Sequence, residues 1–287
     1  MPLDTEIPIP DEKSLNGFIK PLENIVSSNK IHNSEQKRKE SLLKHLEKSI
    51  ASKFEGSKLS PFGSAESGLS LKGGDFDLCL QISNADEKKI IKRIGGMLRG
   101  QGMEKVQTIT RAKVPIVKFI DPRSGLNVDI SINNTLALHN TRLLSEYAKL
   151  DKRVKDLTIC IKHWALHRNV SDSVNGTFSS YAWSILVINH LQEQGVIPNL
   201  QIGEDRTVVE IDGKEFDITV NEDVSKNESN KQNIAELASS FFRNYATRKW
   251  ENEVISIRSG NSISRDEKGW MNEKPSAFEI FNSDKEN

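Results

Sequence analysis

From residue 76 to residue 132, apolar and polar positions alternate in short runs, the period of a half-buried β-strand. The pattern predicts strands at 76–82, 104–110, 114–120 and 126–132, with the amphipathic run DEKKIIKRIGGMLRG forming a helix between the first two. On either side the period changes to that of a helix. Leu15, Phe18, Ile19, Leu22, Ile25 and Val26 mark a first helix, and a second starts near Asn33-Ser34 with Leu42, Leu43, Leu46, Ile50 and Phe54 as its buried stripe. From Leu136 onward the helical runs are ALHNTRLLSEYAKL, VKDLTICIKHWALHR, YAWSILVINHLQEQG and IAELASSFFRNYATRKW. The segment 221–233, rich in Asn, Ser, Glu and Lys, is expected to be a solvated loop. The class is therefore α+β: a small unit with a mixed sheet, then a helix-rich unit.

A length of 287 residues suits about two domains with real cores. Forty basic residues balance forty acidic ones, so contact with nucleic acid has to come from local basic clusters rather than a global field. Cys79 and Cys160 lie among apolar neighbours and read as buried thiols of a reducing compartment, with no disulfide or zinc framework. No run reaches the length of a membrane span. The expectation is a soluble intracellular monomer, cytoplasmic with the nucleus as the alternative, making no membrane contact. Residues 1–13 read as a flexible arm.

The densest chemistry lies in GGDFDLCLQI. Positions i and i+2 of a strand share a face, so Asp75 and Asp77 reach one side while Phe76, Leu78 and Leu80 turn to the other. Asp129, between Val128 and Ile130 in a second alternating run, converges on that pair if the two strands are neighbours. Three such anions repel one another. Without a cation at least one is pushed toward its protonated form, and bound Mg²⁺ or Mn²⁺ reverses that preference. Hard carboxylate oxygens suit these ions, and a pair of them activates a hydroxyl and neutralises a leaving pyrophosphate. Asp-x-Asp by itself also occurs in solvated turns and calcium loops. Gly63-Ser64 in PFGSAESG narrows the choice, because a small-residue turn offers N–H groups and a hydroxyl to a triphosphate. Its plain alternative is an ordinary turn, but together with the three acids it specifies a nucleotidyltransferase site.

The string FGSAESGLSLKGGDFDLCL, followed by VDISINNTLALHNTRLL, IKHWALHR, NGTFSSYAW, LASSFFRNYATRKW and VISIRSG, resembles the noncanonical poly(A) and poly(U) polymerases of the polymerase-beta-type nucleotidyltransferases. Within them it is most similar to terminal uridylyltransferases of the caffeine-induced-death type, over about residues 35–270. The resemblance implies a bilobed enzyme: 14–34 a helix packing on the helical lobe, 35–140 the catalytic domain, and 141–287 the helical PAP-associated domain, with nucleotide held across a cleft. It implies that Asp75, Asp77 and Asp129 are both catalytic and metal-binding, and that Gly63 and Ser64 meet the triphosphate. Ala137 would lie at the sugar, Asn140 would read ribose and base, Lys162 would grip the outer phosphates, and Ser180 and Tyr181 would meet phosphate and base. Arg111, Lys113 and Lys118 would form a basic track for RNA, positioning phosphate without reading sequence. The plain readings are a helix cap for Asn140, a helix cap for Ser179 or Ser180, core for Tyr181, and surface charge for Lys162, Arg111, Lys113 and Lys118.

Two departures from the family pattern bear on function. Relatives carry a second basic residue one turn after the lysine, where this chain has Leu166, with His167 turned partly round the helix. Relatives also continue into an acidic Ile-Glu-Asp-Pro-Phe motif and, in uridylyl-specific members, a histidine, whereas here FEIFNSDKEN offers Glu279 as a partial match. The expected activity is template-independent, Mg²⁺-dependent transfer of UMP from UTP to the 3′ end of single-stranded RNA. The alternatives are the same chemistry with ATP, and a nucleotide- or RNA-binding scaffold with weak turnover.

Overall fold

The structure, a computed structural model, describes residues 7–268 apart from 84–85, 113, 204, 212, 226–227, 249 and 251. The chain divides into one unit of residues 30–145 and a second made of residues 1–29 together with 146–287.

In the first unit, α2 (Asn33–Ala51), β1 (Lys58–Phe62), α3 (Gly63–Ser67), β2 (Phe76–Gln81), α4 (Glu87–Gly100), β3 (Glu104–Ile109), β4 (Ile116–Asp121) and β5 (Leu126–Ile132) precede α5 (Thr135–Leu150). The strands form a mixed five-stranded sheet in the order β1-β2-β5-β4-β3. Only β2 and β5 run parallel, and the other neighbours are antiparallel. Phe76, Leu78, Leu80, Val117, Phe119, Val128, Ile130 and Ile132 turn one face of the sheet into a core with Leu42, Leu46 and Ile50 of α2 and Ile90, Ile91, Ile94 and Leu98 of α4. Alternation then forces the intervening positions onto the opposite face. β1 is a strand that periodicity did not reveal, since Pro61 interrupts its pattern. It is an edge strand, where a residue without an N–H is tolerated. Beyond β5, Asn133 takes a left-handed conformation at φ 51°. Its amide closes the end of β2, accepting from Ile82 N–H at 2.9 Å and donating to the Ile82 carbonyl at 3.1 Å, which fixes where α5 begins.

In the second unit, α1 (Glu12–Ser28) packs on α6 (Lys152–His167) and α8 (Ile234–Thr247). Asp11 caps α1 and Asp151 caps α6. α8 opens on a full capping box between Asn233 and Glu236. α7 (Ser180–Glu193) is buried from Ala182 through Leu191. Two hairpins of four-residue strands, β6–β7 (Val208–Ile211, Lys214–Asp217) and β8–β9 (Glu253–Ser256, Asn261–Ser264), add strands not expected above, although Val209-Glu210-Ile211 and Phe216-Asp217-Ile218 alternate on either side of Asp212-Gly213. The 221–233 segment is a loop as expected, its described residues exposed or half-buried, and it is tied down at one point. Arg153 Nη1 donates to the Asn230 side chain at 2.9 Å, and Asn230 Nδ2 donates to the Gln194 carbonyl at 2.8 Å, pinning that loop to α6 and the end of α7.

Candidate active site

Strand register decides the site. Asp77 on β2 pairs with Asp129 on β5, and Asp129 pairs with Lys118 on β4, so three charged residues form one row across three adjacent strands. Directly opposed residues project to the same face, here the face turned away from the core. Asp75, two residues before Asp77, precedes the strand and is exposed. The Lys118 ammonium is bonded to Asp129 Oδ2. Burial opposes its charge, but the hydrogen bond and ion pair with Asp129 hold its pKa above the ordinary lysine value. Burial also raises the Asp129 carboxyl, with Lys118 acting against that rise.

Asp77 carries the unbalanced charge. Burial first, then Asp129, then Asp75 push its carboxyl up to about 7. Lys39 of α2 opposes that rise from within the fold, where it is buried and ion-paired with Glu35 at 2.9 Å. Nothing in the alternation of α2 marks Lys39 as part of a site, because a lysine at that position reads as a solvated helix charge.

Gly63 explains itself through Asp77. Its φ is +80°, and a Cβ built there would lie 2.3 Å from Asp77 Oδ2, so a side chain would fill the space beside the carboxylate. The Gly63 N–H donates to Thr141 Oγ1 at 2.9 Å, and Thr141 donates to the Ala137 carbonyl at 2.7 Å. Thr141 therefore links the Gly63-Ser64 turn to the first turns of α5. No local pattern marks this link, which joins residues far apart in the chain. Asn140 sits inside α5 and does not cap it. Among the described residues no group of three or more His, Cys, Asp or Glu side chains is gathered closely enough for a single ion. The core of the site is thus the Asp77–Asp129 pair with Lys118 alongside, and Asp75 acts on it from further out. The donor set still fits divalent cations: hard oxygens, a carboxyl forced toward neutrality by burial and by neighbouring carboxylates that Lys118 and Lys39 offset only in part, and a glycine in place of a side chain beside it.

Of the expected RNA track, Arg111 is exposed, Lys113 lies outside the described residues, and Lys118 is engaged with Asp129. In the helical unit, Lys162 on α6 is 3% exposed. Ser179, whose hydroxyl accepts from Ala182 N–H at 3.1 Å, caps α7, so of the two serines offered as the cap it is Ser179 that fills the role, and Ser180 is the first residue of the helix. Tyr181 keeps 36% of its surface accessible, while burial around its hydroxyl pushes the phenol up to about 12, so it is a partly covered side chain rather than a core one. Glu279 lies outside the described residues.

A family model described as the central palm domain of mitochondrial-like poly(A) RNA polymerase matches residues 18–149, and one described as Cid1 family poly A polymerase matches residues 233–282. A crystal structure of the Cid1 poly(U) polymerase with Mg and 3′-dATP bound superposes with a TM-score of 0.79 at 32% identity, covering 88% of this chain and 81% of that one. The chain belongs to the Cid1 family. Other relatives of this Cid1-family chain use different nucleotides by name. Human terminal uridylyltransferase 7 is 36% identical over 82% of this chain, and the mouse poly(A) RNA polymerase GLD2 is 34% identical over 83%. The chain spans 17% of the first protein's length and 53% of the second's. The sheet that carries the acid row and the helical unit are thus the fold of Cid1-family polymerases, an α+β nucleotidyltransferase unit joined to a PAP-associated unit.

Proposed function

We propose that this chain transfers UMP from UTP to the 3′-hydroxyl of single-stranded RNA without a template. The observation that carries the reading is the Asp77–Asp129 pair, in register on adjacent strands beside a glycine whose missing Cβ leaves one carboxylate open. Asp75, Asp77 and Asp129 would hold the divalent ions, Mg²⁺ by the hardness of the donors with Mn²⁺ as a substitute. When bound, such ions lower the pKa of the attacking hydroxyl and offset the charge of the leaving pyrophosphate.

The chain's own residues supply position and charge balance. Lys118 neutralises Asp129 while the acids face one another alone. Its 42% exposed side chain is long enough to leave that partner for an RNA phosphate, in keeping with a basic track shared with Arg111 and Lys113. Gly63 and Ser64 are assigned to the triphosphate, with Thr141 holding that turn against α5. Ala137 and Asn140 are assigned to ribose and base, Lys162 to the outer phosphates, and Ser180 and Tyr181 to phosphate and base. A tyrosine with an accessible ring at the start of a helix has the surface that base stacking needs.

ATP is the competing substrate, because relatives of comparable identity are named poly(A) polymerases. UTP follows from the human uridylyltransferase and Cid1 matches. Incubating one labelled RNA with each of the four nucleotides separately decides: a ladder with UTP that exceeds the ATP ladder is expected, and the reverse order makes the chain a poly(A) polymerase. Asp129→Ala should remove the ladder, and extension at the normal rate by that variant would refute the site. Tight Mg-UTP binding without pyrophosphate release would identify a scaffold. Cytoplasmic action fits two free, buried cysteines, and among the described residues no helix is long and apolar enough to cross a membrane.

A further inference from the structure

The last turn of α6 carries a pair of histidines to which the proposed function assigns no role. His163 and His167 are spaced i, i+4 and therefore share one face of the helix. Their ring centroids are 4.1 Å apart with the planes inclined by 40°. His163 is half-buried and His167 exposed. His167 Nδ1 lies 2.7 Å from the His163 carbonyl oxygen. A carbonyl can only accept, so Nδ1 carries the proton, and the neutral ring keeps its lone pair on Nε2. A metal-ligating histidine needs that arrangement: one nitrogen fixed by a backbone acceptor, the other left as a donor to a cation.

We propose that His163 and His167 form a chelating site for a borderline transition-metal cation, Zn²⁺ or a similar ion, separate from the carboxylate site that suits Mg²⁺. Three arguments converge on this ligand class. Imidazole nitrogen selects Zn²⁺, Ni²⁺ and Cu²⁺, whereas carboxylate oxygen selects Mg²⁺ and Mn²⁺. Metal–nitrogen bonds of about 2.0–2.1 Å require rings whose centres stand roughly 5 Å apart, so the pair has to open by about 1 Å, within reach of small side-chain rotations. His167 is also the final residue of α6, where the unsatisfied carbonyls favour positive charge. Water completes the coordination shell of an ion held by two protein nitrogens.

Zinc titration of the full chain by calorimetry, in excess Mg²⁺ to occupy the carboxylates, tests the proposal. One Zn²⁺ per chain is expected, with each of His163→Ala and His167→Ala weakening binding about tenfold or more and the double variant abolishing that event. Since His167 is exposed and His163 only half-buried, melting temperatures without zinc should stay close to the parent. His163→Gln and His167→Gln serve the same purpose if an alanine variant does not fold. In parallel, imidazole ¹⁵N resonances should shift at these two residues alone. The proposal is overturned if the parent binds no zinc under these conditions, if the double variant binds with unchanged stoichiometry and affinity, or if the zinc-dependent resonances belong to other histidines.

Discussion

A carboxyl group with a pKa of about 7 is protonated about half the time in neutral solution, and Asp77 is in that condition because burial and two neighbouring carboxylates oppose its charge. Its folded value stands above the unfolded value of about 4, so the protonated form favours folding below that pH, and the contribution is lost as pH rises through 7. The upper bound on the effect is about 4 kcal/mol. Melting of the cation-free protein should therefore shift downward from pH 5 to pH 8, while Asp77→Asn flattens that slope and millimolar Mg²⁺ restores the loss in the parent only. Gly63 can be tested independently. Gly63→Ala meets both a positive φ and an oxygen 2.3 Å away, so a stability cost of about 1–2 kcal/mol is expected. A loss of extension activity larger than that destabilisation explains is expected as well, read from kcat and from a melting curve of the same sample. At this scale the acids were legible from Asp-x-Asp and LNVDISI. Thr141 and Lys39 were not, because each acts through a contact with a residue remote in the chain.

Helices and strands differ in how much of themselves they write into sequence. The stripe of α2 and the alternation of β2 and β5 were readable because a whole face of each is buried, so the period repeats over several residues. The hairpin β6–β7 has only a brief alternation around Asp212-Gly213, too short to predict on its own, and charge anchors its end. Asp217 Oδ2 accepts from Arg206 Nε at 2.6 Å and from Arg258 Nη2 at 2.5 Å, while Oδ1 accepts from Thr219. Its side chain is 3% exposed, and burial favours the neutral acid, yet the bonds from Thr219, Arg258 and Arg206 outweigh that and hold the carboxyl far below the usual carboxylate range. A depressed carboxylate lends stability above its unfolded value of about 4 and loses it as pH falls toward the folded value. Asp217→Ala should cost about 3 kcal/mol at pH 7, because a buried carboxylate that accepts from two guanidinium groups and Thr219 is removed, and proportionally less near pH 3, measured by denaturant unfolding.

On the scale of the molecule, chain order and spatial order disagree. α1 comes first in the sequence yet packs with α6 and α8 in the unit built mostly from the second half of the chain. There Cys160 Sγ lies 3.7 Å from the Leu22 carbonyl, and burial, aided by Asp156, pushes its thiol up to about 12. Deleting residues 1–28 should uncover that thiol. A thiol-reactive dye is expected to label Cys160 rapidly in the shortened protein and slowly in the parent, while Cys79, within the sheet, stays protected in both. Equal labelling rates would show that α1 does not shield α6. The sequence determined the period of each long element, the identity of the acids and the α+β class, because those depend on spacing along the chain and on side-chain chemistry. Tertiary structure alone decided that Asp77, Asp129 and Lys118 stand in one row, that Gly63 must lack a side chain, and that α1 joins α6. Each of these depends on register or packing between segments far apart in sequence, for which no local pattern exists.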